Sequence, residues 1–223
     1  EEEIAEKVAD ISDIDFEYGT QLDALTLSMI ELDEFKFDRI ISANIEQLGF
    51  ERTMLEVIYP FLDKLSLLWL TGSIDPVQES FISYLIRQKI MVAIDGTPVI
   101  TDKKAPEFVV YLPEGERQEL SILFMHYLLK SRGKRVVYLG LDISVSDLKD
   151  ACDIREPDYI FTMITETFAK EPVQDYVDKL ASSFEDCQIL LSGYQVVVQR
   201  VSSEKNVKVL ASLDETIEFI DGL

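Results

Sequence analysis

Between positions 22 and 93 the apolar residues return every three or four places, the period of helices with one face turned inward. Leu22, Leu25, Leu27, Met29 and Ile30 form a first stripe. Asp33 is placed to cap a second helix running through Phe37, Ile40, Ile41 and Ile45 to a stop at Gly49. A third begins near Glu51 and carries Leu55, Ile58, Leu62, Leu65 and Trp69 along one side. Pro60 inside it lacks an N–H and is expected to kink it. Thr71-Gly72-Ser73 ends that run, Asp75-Pro76 opens a fourth, and Phe81, Leu85, Ile86, Ile90 and Ala93 continue its inner face. The short connections make the helices antiparallel neighbours, a four-helix bundle.

The pattern changes after Asp95. The stretch from Asp95-Gly96-Thr97-Pro98 to Pro106 carries Gly, Pro and charge, which marks a linker. The expected division is a helical bundle over 1–102 and a second domain over 103–223. In the second, five short β-rich runs alternate with helical ones: Phe108–Tyr111, Arg135–Leu139, Tyr159–Thr162, Gln188–Leu191 and Val207–Leu210. The runs are nearly continuous in apolar residues, which suits strands of a parallel sheet buried on both faces. The expected fold class is therefore α/β: a bundle followed by a five-stranded parallel, doubly wound, flavodoxin-like domain. Ser144 with Asp147, and Ser212 with Glu215, have the spacing that opens a helix.

Charge narrows the function. Lys and Arg total 21 against 42 Asp and Glu, a net −21, and that field repels a polyanion such as DNA. Cys152 and Cys187 lie in separate segments without metal-type spacing, which fits reduced core thiols and a cytoplasmic setting. No apolar run approaches the roughly 20 residues that span a bilayer, so no membrane partner is expected. The acidic opening through Asp15 reads as a solvated tether. Lys130, Arg132, Lys134 and Arg135 form a basic patch that reads as pairing with local acids. No Ser-His-Asp set, Cys-His pair or phosphate-binding glycine loop supports catalysis, so no enzyme, catalytic residue or metal site is expected. His126, the only histidine, reads as an ordinary helix-face residue.

Two blocks carry a resemblance. Pro60-Phe61-Leu62 through Leu68-Trp69, then Gly72-Ser73-Ile74 and Gln78-Glu79-Ser80-Phe81, resemble the helical bundle of MerR-type, CarH-like cobalamin sensors. Leu112 through Ser121, followed by Arg132-Gly133-Lys134 through Gly140, resembles the first strand-to-helix loop and second strand of the same family. The resemblance implies a cobalamin-binding-type α/β domain with a pocket drawn from Trp69, Glu79, Glu116, Gln118, Ser121, Thr162, Ser192 and Gly193. It also implies the sensory and oligomerisation region of a transcription regulator. Such a region would form a homo-oligomer and meet DNA only through an upstream winged-helix domain.

The departures from the family lie at the metal. The family's Asp/Glu-x-His-x-x-Gly falls on Glu116, Gln118 and Ser121, its Ser-x-Leu on Thr162-Met163-Ile164, and its Gly-Gly near Ser192-Gly193. Upper histidines are replaced by Leu70 and Ser80. An amide oxygen at Gln118 is a weak donor to cobalt and cannot complete an acid-to-imidazole relay. The expectation is a modified or vestigial pocket with no cofactor, or an unknown small molecule in its place. Cobalamin held without a histidine, its cobalt capped by water or its own base, is the alternative, in a sensor or a corrinoid carrier. Trp69 reads either as the shield of a bound cofactor or as a core tryptophan. Glu79 reads as a ligand contact or as a first-turn acid.

Overall fold

Residues 19–166, 172–202 and 206–223 are described in this computed structural model; the acidic opening read as a tether lies outside them. Helix α1 spans 19–30. It buries Leu22, Leu25 and Met29, whereas Leu27 and Ile30 are 43% and 48% exposed. Three of the five expected stripe residues thus share one face, and the other two lie around the helix from it. Helix α2, Glu34–Leu48, starts where expected: the Asp33 side chain accepts from Lys36 N at 2.9 Å, supplying one of the donors a helix start leaves open. It ends at Gly49, whose φ of 82° suits a residue without Cβ.

Near Pro60, where a kink is expected, the third helix carries a π turn. Helix α3, Phe50–Thr53, runs into a π turn at Met54–Ile58 and on into α4, Tyr59–Leu70. Tyr59 N reaches back to Met54 O across the wider turn, and the irregularity falls one turn ahead of the residue that cannot donate. The inserted residue also rotates the inner face. Met54, Val57, Ile58, Phe61 and Leu65 are buried, while Leu55 and Leu62 of the expected stripe are only half-buried. Helix α5, Pro76–Asp95, opens with Asp75 N donating to Gln78 Oε1 at 2.9 Å. It buries Ile82, Leu85, Ile86, Ile90 and Ile94.

The chain divides into two compact units, one ending at Lys89 and the other beginning at Ile90, within α5. The second unit alternates strands and helices. β1 (Glu107–Pro113), α6 (Glu119–Ser131), β2 (Arg135–Ile143), α7 (Val145–Arg155) and β3 (Tyr159–Met163) come first. They are followed by α8 (Val173–Ser183), β4 (Gln188–Ser192), α9 (Tyr194–Val198), β5 (Val207–Val209) and α10 (Leu213–Asp221). The sheet order is β2-β1-β3-β4-β5, and every neighbouring pair is parallel. All five expected strands are present, and Ser144 and Ser212 cap α7 and α10 by accepting from Asp147 N and Glu215 N at 3.1 Å.

Burial on both faces holds for the inner strands only. β1 is buried throughout, whereas β2 lies at the edge and is mostly half-buried. On one face Val109, Tyr111, Ile160, Ile189 and Leu191 pack with Leu148 of α7 and with Tyr176, Val177 and Leu180 of α8. At the opposite end of β1 from its loop, the Glu107 carboxylate is 1% exposed and is paired with Arg135 and with Arg155, the latter at 2.6 Å. Arg132 pairs with Asp221. Two members of the basic patch are thus spent on local acids.

Candidate functional site

From β1 the chain crosses to β2 on one side, and from β2 it returns to β3 on the other. The loops leaving β1 and β3 therefore diverge, and at such a point open parallel sheets bind ligands beyond their carboxyl ends. Gly115 makes the turn after β1 with φ of 86°, and its N–H donates to Asp142 Oδ1 on β2 at 3.1 Å. The turn delivers Glu116, 3% exposed, across to the β3 loop. Its carboxylate accepts from Thr165 N at 2.6 Å and from Glu166 N at 3.1 Å. Gln118 stands at the N-cap of α6 with φ −75° and ψ 54° and makes no side-chain capping bond. Ser121 is half-buried in the first turn of that helix.

The β3 and β4 ends are joined through backbone. Ile164 N donates to Ser192 O at 2.8 Å, and Gln195 N donates to Ile164 O at 3.1 Å. Gly193, at φ 109°, lies so close that an added Cβ would fall 2.4 Å from Ile164 O. The Ser192 hydroxyl donates to Leu210 O at 3.1 Å, tying β4 to the end of β5. Thr162 is fully buried, beside a pair of phenols, Tyr111 and Tyr176, whose oxygens are 3.0 Å apart. Burial, then the neighbouring Tyr176, pushes the Tyr111 phenol above its ordinary range.

Glu116, Gln118, Ser121, Thr162, Ser192 and Gly193 therefore all lie toward the carboxyl ends of one sheet. The other two residues of the expected pocket belong to the helical unit and meet each other there. The Trp69 indole N–H donates to the Glu79 carboxylate, and Trp69 is 46% exposed, which corrects its reading as a core residue. The Thr165 and Glu166 amides were not legible along the chain, since backbone donors carry no residue code. Asp142 was hidden inside an apolar strand.

His126 sits in α6 with its ring stacked on Tyr138 of β2, centroids 5.1 Å apart. Burial, and then the charge of Lys130, lower its pKa from 6.5 to about 4. The folded state thus keeps a neutral imidazole, while the unfolded chain takes up a proton below its ordinary pKa. Stability from this residue is present above that value and is lost as pH falls toward 4. The urea midpoint of the wild type should drop relative to His126→Phe between pH 7 and pH 5, phenylalanine keeping the stack without the titration. A gap that does not change with pH would remove the imidazole from this account.

Residues 21–93 match the family model described as B12 binding domain. The chain is also 27% identical over 140 residues to the HTH-type transcriptional repressor CarA of Myxococcus xanthus, covering 63% of this chain. It spans about half of that relative's length, 46%. Among solved structures it resembles the monomethylamine corrinoid protein of Methanosarcina barkeri, with a TM-score of 0.70, 11% identity, and 92% of this chain and 99% of that one covered. At that identity the likeness shows the fold alone. The resemblance to cobalamin-sensor effector regions is borne out. The expectation of no cofactor is corrected: the B12 binding domain match over residues 21–93 points to cobalamin although histidine is absent at Leu70, Ser80 and Gln118. Imidazole on cobalt is one contact among the many that hold a corrin. Among the described residues no helix is long and apolar enough to cross a membrane.

Proposed function

We propose that this chain is the cobalamin-binding sensory region of a transcription regulator, and that it holds the corrin without a protein histidine on the cobalt. The observation that carries the second half is the use made of Glu116. Its carboxylate is committed to the Thr165 and Glu166 amides, so the acid that would orient an imidazole is occupied, and position 118 offers only a carboxamide. This donor set fits a corrin whose cobalt keeps its own base or a water beneath it. Gln118, Ser121, Ser192 and Gly193 are the residues proposed to contact it in the α/β unit. Bound adenosylcobalamin supplies a cobalt–carbon bond that light breaks. The protein would hold and orient it.

The regulatory half rests on the likeness to a repressor and on charge. A region with net charge −21 does not approach DNA unaided, so DNA contact is assigned to a winged-helix domain upstream, and control to a change in self-association. Neither needs catalysis by this chain.

The test mixes the protein with adenosylcobalamin in the dark, separates free ligand on a sizing column and records the visible spectrum of the protein peak. The expected peak is coloured, and its spectrum is the same for His126→Phe, which removes the chain's single histidine. Gln118→His should then shift the spectrum toward that of an imidazole-ligated corrin. A colourless peak would defeat the cobalamin reading, and a spectrum that changes in His126→Phe would defeat ligation without histidine.

A further inference from the structure

The Thr165 and Glu166 amides are positioned from behind. Ile164, just before them, is bonded through both its N–H and its carbonyl to the β4 end, to Ser192 and Gln195, and Gly193 packs against its backbone. None of these contacts involves Glu116. The Glu116 side chain comes instead from a turn held by two bonds of 3.1 Å, Glu116 N to Pro113 O and Gly115 N to Asp142 Oδ1. Among the described residues no Lys, Arg or His pairs with this buried carboxylate. It is held by backbone N–H groups, and successive N–H groups of this kind receive any anionic oxygen pair. The donors are thus fixed by contacts of their own, independent of the acid they hold.

We propose that the Thr165 and Glu166 amides form an anion niche at the β1/β3 crevice, in which Glu116 is a resident stand-in. The phosphate or carboxylate group of a ligand takes its place when the side chain turns out. The niche would give the crevice a fixed polar contact and make ligand entry a displacement, so that an anionic group is selected over a neutral one. This inference does not depend on the cobalamin reading.

The 223-residue chain and its Glu116→Ala variant are titrated with inorganic phosphate, against chloride at equal ionic strength, while the backbone amide resonances of Thr165 and Glu166 are followed. Saturable shifts of those two amides are expected in the variant. The same shifts are expected in the wild type at about tenfold higher phosphate, because the resident acid must be displaced first. Formate in place of phosphate tells a carboxylate-taking niche from a phosphate-taking one, and a response to either supports the proposal. If Glu116→Ala does not fold, Glu116→Gln keeps the volume, removes the charge and is read by the same criterion. No anion-specific movement of these resonances in the folded variant overturns the niche, and a response confined to the variant overturns displacement.

Discussion

Gly193→Ala should be the most damaging single change in the α/β unit, costing about 3 kcal/mol or more. Two effects add. The residue sits at φ 109° and ψ 156°, a region open in practice only to glycine, where strain alone costs roughly 1–3 kcal/mol. An added Cβ would also fall 2.4 Å from Ile164 O and 2.7 Å from Ile164 N, and those atoms are backbone that cannot step aside without loosening the β3–β4 ends. Gly140→Ala separates the two effects, since its φ is also positive at 92° but nothing lies within 4 Å of its Cβ position. Urea unfolding should give a clearly larger loss for position 193. Equal losses would mean that the close approach to Ile164 is not what demands glycine.

Stranding the Glu107 carboxylate should be the second large effect. It is 1% exposed, and its two guanidinium partners, Arg135 and Arg155, are 26% and 46% exposed at their side chains. Removal of charge from the two ends of this cluster is therefore not symmetrical. Arg135→Met with Arg155→Met leaves a buried, unpaired acid, a situation that costs about 3–5 kcal/mol. Adding Glu107→Leu to that pair removes the acid as well and should recover most of the loss, because an apolar replacement for a buried ionic group is often neutral. Thermal unfolding of the double and triple variants checks this. If the triple variant is no more stable than the double, loss of packing rather than a stranded charge explains the cost.

Much of the fold could be read along the chain because it depends on neighbours a few residues apart. The Asp33 cap, the Gly49 stop, the Asp75-Pro76 start and the Ser144 and Ser212 caps are all local, and each stands where its spacing put it. The five strands were legible for a related reason: inner strands of a parallel sheet need apolar residues at every position. The β2 strand shows the limit. Its Arg135–Leu139 segment is as apolar as an inner strand, yet β2 lies at the edge, because strand order is a property of the crossovers and leaves little trace in composition. Likewise, only packing shows that the π turn before Pro60 moves burial from Leu55 to Met54 and Val57.

The candidate site divides the same way. Its residues could be assembled from a resemblance, and six of them do reach the carboxyl ends of one sheet. What each does there could not be assembled. Glu116, read as the acid that would serve an imidazole, bonds to two amides nearly fifty residues away, and Trp69, read as shield or core, is held at the surface by Glu79.

By itself, then, the order of residues determined which segments are helix and which are strand, where the capped helices start, and that no imidazole stands in the 116–121 loop. Those are matters of backbone propensity and residue identity. Tertiary structure alone decided that the loop's acid is spoken for and that glycine is required at 193. Both depend on how closely two distant stretches of backbone approach, and that distance is set by the packing of the whole sheet.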